Sequence, residues 1–149
     1  MPSFKRKPNR VPGFDYNQIG YYFITICTIN KKHYFGEIYS NEMFKNTIGN
    51  IAENYLCKIP NVYEDVYLDD YVIMPNHIHV IIALTKKINP DISRIIKHYK
   101  ECITKELGYK IWQKSFYDHV IRNEKDYLRI YEYIEENVLK WSLDKYYDE

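Results

Sequence analysis

The chain has 149 residues, enough for one domain with a proper core and too few for two ordinary ones, so we expect a single domain over residues 1–149. Its 21 basic and 20 acidic side chains give a net charge of +1, which does not by itself indicate a nucleic-acid-binding protein. No apolar segment reaches membrane length and the N-terminus lacks the apolar core of a signal peptide, so we expect a cytoplasmic protein with no membrane partner.

Three cysteines support the same localisation. Cys27, Cys57 and Cys102 are odd in number, lack metal-type spacing and fall inside predicted strands or helices. We therefore expect buried, reduced thiols, as is usual for a cytoplasmic protein.

The distribution of charge is more informative than its sum. A basic N-terminal arm at about residues 1–20 contains Lys5, Arg6, Lys7 and Arg10, whereas the last predicted helix is rich in Glu and Asp. This asymmetry predicts an arm that follows phosphates, although exposed basic termini without a function are also common.

Seven segments have the periodicity of regular secondary structure. Strands are predicted where β-branched and aromatic residues are dense, and helices where apolar residues recur at helical spacing after a capping residue. In chain order these are a strand at 21–29, a helix from a cap at Ser40 or Asn41 to about Ile59, strands at 67–74 and 77–84 that form a hairpin or one bent ribbon, a helix from a cap at Asp91 to about Leu107, a short strand within 111–121, and a helix from a cap at Asn123 to about Leu139. This order predicts an α+β sandwich of the ferredoxin-like or RRM-like kind, with an antiparallel sheet and helices mainly on one face.

The strongest functional signal is the triplet His77, Ile78, His79 in the strand at 77–84. Residues two apart in a strand lie on the same face, so both imidazoles should point the same way. Neutral imidazole is the commonest metal ligand in proteins, and the pair is therefore typical of a metal site. A strand with two half-exposed histidines for packing or solubility explains the triplet alone equally well.

The last predicted helix separates its tyrosines by geometry. At about 100° per residue, one apolar stripe should pack on the sheet. This stripe contains Tyr127, Ile130, Tyr131, Ile134 and Val138. Tyr133 lies off the stripe, and Asn137 follows one turn later on the same side, so both side chains could reach a site where His77 and His79 emerge. Taken alone, an ordinary amphipathic tyrosine followed by a helix C-cap is the simpler interpretation.

Further segments accompany these residues in a fixed order. They are residues 11–16 (VPGFDY), residues 21–23, residues 74–79, Trp112, Gln113, Phe116, Asp118, His119, residues 121–124, Asp126 and Tyr127. Together with Tyr133, Ile134 and Asn137 they span nearly the whole chain. In this combination the chain resembles the REP-associated tyrosine transposases, a branch of the single-tyrosine HUH transposases.

The resemblance implies a role for each residue of the constellation. His77 and His79 would be the metal-binding histidines, Asn137 a polar third ligand and Tyr133 the nucleophile. The implied cofactor is Mg²⁺ or Mn²⁺, which would polarise the scissile phosphate. In the family, tyrosine attack leaves a 5′-phosphotyrosine link and a free 3′-OH, so rejoining needs no nucleotide energy source.

The resemblance also implies the partners. The substrate would be single-stranded or hairpin DNA at repeat sequences, contacted by the basic arm, and the enzyme would be a monomer or a homodimer. A catalytically inactive, domesticated binder of structured DNA or RNA is the main alternative, and a metal-dependent hydrolase that uses water is a third. The roles of Asp118 and His119 stay open, as does the basic flank of the second helix, which is a solvated face or a binding surface.

Overall fold

The computed structural model describes residues 16–147 of the chain. That range contains six strands and three α-helices, and short 3₁₀ turns lie at Ile29–Lys31 and Trp141–Leu143. The main elements are β1 (Gly20–Cys27), β2 (Gly36–Tyr39), β3 (Glu42–Lys45), α1 (Thr47–Val62), β4 (Val66–Met74), β5 (His77–Leu84), α2 (Ile92–Leu107), β6 (Tyr117–Ile121) and α3 (Glu124–Glu135). Among residues 16–147, no helix is both long and apolar enough to cross a membrane.

Four strands form one antiparallel sheet in the order β4-β5-β1-β6, and β2 and β3 form a separate two-stranded ribbon. β4 and β5 form a hairpin through Pro75 and Asn76, which decides between the two arrangements predicted for them. The α+β fold with an antiparallel sheet is thus confirmed.

The two central strands are buried on both faces, and their alternation divides the core. One row, which includes Ile24 and Val80, packs with α1 and α2. The other row, which includes Phe23 and Ile81, packs with Ile130 and Ile134 of α3. Two of the three helices therefore share one face, and α3 covers the other. Since His77 and His79 are in phase with Ile81, the pleat turns both imidazoles toward α3.

The predicted start of the first helix is wrong. Ser40 and Asn41 do not cap a helix; they occupy the two-residue turn between β2 and β3, with φ of 50° and 62°. Both residues tolerate or favour left-handed backbone in such turns, and this hairpin is the element that the sequence prediction missed. The cap is Asn46, whose side chain accepts a hydrogen bond from Gly49 N at 2.8 Å.

The second helix is confirmed at both ends, with Asp91 as its N-cap and Gly108 in left-handed conformation after it. The third begins as predicted after Asn123 but ends at Glu135, short of Leu139, so Asn137 lies in the turn that follows.

Two burial predictions are wrong. Tyr131 is 40% exposed and stacks on Tyr127 at a centroid distance of 6.1 Å, so it does not belong to the buried stripe of α3. Of the three free cysteines, only Cys27 is buried, whereas Cys57 is exposed and Cys102 is intermediate. Cys57 directly follows the buried Leu56 in α1. Successive helix residues are about 100° apart around the axis, so Cys57 leaves the buried face.

Candidate active site between the sheet and the third helix

Two completely buried histidines form the floor of the candidate site. Pairing with β1 sets Cys27 opposite His77 and Thr25 opposite His79, and the two imidazole centroids are 4.6 Å apart. His79 Nδ1 lies 2.8 Å from Thr25 Oγ1. Both Nε2 atoms are buried without a hydrogen-bond partner in the described part of the chain.

The tautomer of His77 follows from its neighbour in the hairpin turn. Asn76 uses its amide nitrogen to donate to the carbonyls of Tyr146 at 2.8 Å and Lys31 at 3.3 Å, so its Oδ1 must be the atom that faces His77 Nδ1 at 2.7 Å. An amide oxygen only accepts, and His77 Nδ1 therefore carries the proton. Its Nε2 is left with a free lone pair, which is the form that ligates metals.

Burial keeps both imidazoles neutral. It lowers the pKa of His77 to about 3, against a smaller opposite effect of the nearby Asn137 side chain. Burial, with the neighbouring charge of His77 when protonated, holds the pKa of His79 well below its ordinary value. Tyr146 covers the pair, with its ring 4.5 Å from that of His77 and 5.6 Å from that of His79.

The tyrosine predicted as nucleophile lies directly beside the histidines. α3 places the Tyr133 ring 5.1 Å from the ring of His79 and 6.3 Å from Phe23, and its hydroxyl donates to Asp144 Oδ2 at 3.0 Å. Burial and the Asp144 carboxylate raise its pKa above the ordinary value, so the phenol is protonated at neutral pH.

The other two helix tyrosines do not share this position. Tyr127 donates a hydrogen bond of 2.5 Å to Asp69 Oδ2, and Tyr131 stacks on Tyr127. Of the three, Tyr133 is thus the one in ring contact with a site histidine.

Asn137 and Asp144 complete the polar wall of the site. Asn137 is 2% exposed and donates through Nδ2 to Asp144 Oδ2 at 3.0 Å, while its Oδ1 is buried without a partner in the described residues. The ligand atoms of His77, His79 and Asp144 lie within 4.8 Å of one another. Two imidazole nitrogens and a carboxylate, with an amide oxygen beside them, are a donor set that fits a divalent cation.

Sequence reasoning missed Asp144. The structure brings it to the site through the turns after α3, eleven positions from its partner Tyr133. No helical or strand period relates positions so far apart once the helix has ended, so only the three-dimensional path of the chain shows the pairing.

The remaining sequence candidates lie elsewhere. His119 Nε2 lies 2.6 Å from Asp126 Oδ2. Burial alone would raise the pKa of Asp126, but hydrogen bonds from His119 and Arg129 outweigh it and hold that pKa below the usual range. This pair anchors the first turn of α3 on β6, a positioning role for the helix that carries Tyr133. Lys5, Arg6, Lys7 and Arg10 of the predicted arm lie outside the described residues.

Several known proteins are similar to this chain in sequence. No protein-family model matches it. It is 36% identical to a REP-associated tyrosine transposase of Escherichia coli over 49% of this chain and 44% of that protein. It is 28% identical to a Haemophilus influenzae protein named "Putative REP-associated tyrosine transposase", over 85% of this chain and 74% of the relative. Both named relatives are REP-associated tyrosine transposases, so the chain is similar in sequence to that family.

A solved structure and a third relative also match the chain. The structure of a REP-associated tyrosine transposase bound to a REP hairpin superposes with a TM-score of 0.72 at 24% identity, over 97% of this chain and 77% of that one, which shows that the two chains share a fold. An uncharacterised protein of Haemophilus influenzae is 33% identical over 95% of this chain and 93% of its own length. The expected resemblance is therefore confirmed.

Proposed function

We propose that this protein cleaves and rejoins single-stranded DNA at hairpin-forming repeats, with Tyr133 as the nucleophile and with Mg²⁺ or Mn²⁺ held by His77, His79 and a side chain of the polar wall. One observation carries the proposal. The Tyr133 hydroxyl, two unpartnered histidine nitrogens and the Asp144 carboxylate lie next to one another on the α3 side of the sheet.

Asp144 can accept the proton that the Tyr133 hydroxyl must lose when it attacks. The raised pKa of Tyr133 means that its hydroxyl needs a proton acceptor, and Asp144 Oδ2 already accepts its hydrogen bond at 3.0 Å. As the phenolic oxygen bonds to phosphorus, its proton passes to Asp144 and the bond from phosphorus to the 3′ oxygen breaks. The leaving 3′ oxygen takes a proton from water, and Asp144 returns its proton to solvent. The products are a 5′-phosphotyrosine and a strand that leaves with a 3′-hydroxyl.

The neutral histidines and a side chain of the polar wall would hold the cation. When bound, a divalent cation would polarise the scissile phosphate and stabilise the charge that develops on its oxygens. The mixed nitrogen and oxygen donors of His77, His79 and Asp144 suit Mn²⁺ somewhat better than Mg²⁺. Asn137 was the third ligand expected from the family; Asp144 is the carboxylate beside it, and both remain candidates for that position.

The substrate class rests on the relatives. The related structure holds a REP hairpin, and this chain shares its fold over 97% of its length. Hairpin-forming repeat DNA is therefore the proposed substrate, with single-stranded DNA at the cleaved position so that Tyr133 can reach the phosphate.

A covalent-adduct assay tests the proposal. Labelled hairpin DNA with single-stranded flanks is incubated with the protein and Mn²⁺, and we expect a denaturant-resistant protein–DNA adduct that Tyr133→Phe abolishes. Tyr127→Phe and Tyr131→Phe are matched controls from the same helix and should retain it. An adduct that survives Tyr133→Phe contradicts the assignment of the nucleophile. Tight hairpin binding without any adduct would favour an inactive binder.

A further inference from the structure

A large cavity of the described structure lies away from the tyrosine site. It is an open groove of about 710 Å³ between α2 and the segment 110–116. Five lysines and one glutamate line it, whereas the whole chain has 21 basic and 20 acidic side chains. The groove thus carries a charge of +4, and the remaining 16 basic and 19 acidic side chains sum to −3. The groove is therefore positively charged although the chain as a whole is almost balanced.

The far wall of the groove is fixed to the fold. Lys100 Nζ donates to the carbonyls of Gln113 at 2.8 Å and Ser115 at 3.3 Å, which ties α2 to the segment opposite. Trp112 pairs with Thr28 through an isolated β-bridge and packs against Tyr99. Lys100 therefore stabilises the shape of the groove, and the other four lysines lie along its rim.

The rim lysines are exposed, and none of the four forms an ion pair with another described residue. They are Lys97, Lys105, Lys110 and Lys114. Lys97 and Lys105 are eight residues apart on α2, so about 12 Å of helix separates them. Along the axis of a DNA duplex, where one strand rises about 3.4 Å per nucleotide, this distance corresponds to three to four nucleotides.

The groove offers charge without base-stacking surfaces. Its aromatic residues, Trp112 and Phe116, are only 7% and 5% exposed, so neither presents a ring face to an unstacked base. Ammonium groups contact phosphates and carry no sequence information. The chemistry of the groove therefore suits a nucleic-acid backbone of any sequence.

The groove also adjoins a smaller cavity near the candidate active site. Gln113 borders the groove and also borders this smaller cavity of about 90 Å³, which contains Lys31, Lys145 and Tyr146. Tyr146 is the residue whose ring covers His77. One residue thus joins the basic groove to the cavity next to the histidines, around the end of the sheet.

We propose that this groove binds the phosphate backbone of the DNA substrate and leads it around the sheet to Tyr133. The inference rests on the proposed function, because it takes DNA as the negatively charged polymer that the lysines bind. It adds a second DNA-contact surface, on the face of the sheet opposite Tyr133. This surface contributes to the affinity for DNA but not to the recognition of its sequence.

The test is the salt dependence of DNA binding, measured in the Tyr133→Phe background so that no cleavage intervenes. The test variant replaces the four rim lysines by glutamine, and a matched control replaces four other exposed lysines: Lys58, Lys86, Lys87 and Lys125. If all four rim lysines contact phosphates, the slope of log affinity against log salt should fall by roughly 3 in the test variant only. Between about 50 and 200 mM salt the parent would then lose roughly 60-fold more affinity than the variant.

The outcomes separate this inference from the proposed function. An unchanged slope, or an equal fall in the control variant, overturns the groove even if the covalent adduct forms. A fall of the expected size supports it even if no adduct forms. Preferential binding of an RNA hairpin, or displacement of DNA by a polyglutamate peptide, would assign the groove to another class of partner and overturn it. Should the fourfold variant fold poorly, Lys97→Gln/Lys105→Gln and Lys110→Gln/Lys114→Gln should each lower the slope by about half as much.

Discussion

Tyr133 and Asp144 belong to different parts of the C-terminal region, yet the tyrosine hydroxyl donates to Asp144 Oδ2 at 3.0 Å. The same oxygen accepts from Asn137 Nδ2 at 3.0 Å, and the carboxylate is within ligand range of both histidines. One carboxylate thus couples the candidate nucleophile to the candidate cation site. A substitution of Asp144 that keeps its shape but removes its charge therefore tests whether the site binds a cation.

Asp144→Asn is expected to weaken Mn²⁺ binding at least about tenfold, because the amide keeps the shape of the side chain but loses its charge. Isothermal titration with MnCl₂ alone measures this without DNA. Adduct formation should slow as well, since the Tyr133 proton loses its acceptor. Glu132→Gln, an exposed substitution on α3, is the control. Equal Mn²⁺ affinity in Asp144→Asn and the parent would show that Asn137 supplies the third ligand instead.

Replacing either site histidine by alanine should abolish cleavage and spare most of the DNA affinity. His77 and His79 are completely buried, so they offer the substrate few contacts beyond those made through a bound cation. Adduct formation and hairpin binding are measured on the same preparations. Parallel loss of both activities would indicate that the histidines hold the fold, a result that thermal unfolding of each variant would reveal independently.

The stability of the metal-free protein should fall as the pH drops below about 6.5. Burial lowers the pKa of His77 to about 3, so between those values the unfolded chain binds a proton that the folded chain does not. The stabilisation is present above the unfolded pKa and is lost as pH falls toward the folded one. At pH 5 the loss from His77 is up to about 2 kcal/mol. Urea unfolding in EDTA at pH 7.5 and 5 should show a smaller difference in His77→Gln, and an identical difference would contradict the burial argument.

Asp70 on β4 should have the opposite pH dependence. Burial and the neighbouring Glu135 carboxylate raise its pKa to about 7, so the folded protein keeps a proton that the unfolded chain releases. Its contribution to stability is therefore present below the unfolded pKa and is lost as pH rises through about 7. Asp70→Asn should stabilise the protein, and the gain in melting temperature should grow between pH 5 and 8. Glu135→Gln should act in the same direction. A gain that does not vary with pH would exclude this explanation.

Local patterns predicted the parts of the molecule whose determinants are close in sequence. Asp91 and Gly108 bracket α2 because capping is a matter of a few neighbouring residues, and the period of two in β5 correctly put His77 and His79 on one face. The β2–β3 hairpin was missed because Ser40 and Asn41 are as suitable for a helix cap as for a tight turn, and only tertiary packing selects one. In this packing Gly49 lets α1 approach the backbone of Phe35, just before β2, because a Cβ at position 49 would lie 2.1 Å from the Phe35 carbonyl oxygen.

Deleting residues 1–10 should weaken hairpin binding and lower its salt dependence, because Lys5, Arg6, Lys7 and Arg10 would take up to four phosphate contacts with them, each worth roughly 0.7 to 0.9 in the slope. Adduct formation at saturating DNA should persist, since none of the four belongs to the set of His77, His79, Asp144 and Tyr133. An unchanged slope would show that the arm makes no phosphate contacts. Loss of cleavage at saturation would mean that the arm positions the scissile phosphate. If the arm and the groove bind separate phosphates, the deletion combined with the rim-lysine variant should lower the slope by the sum of the two effects, and a smaller combined change would show that they compete for the same stretch of backbone.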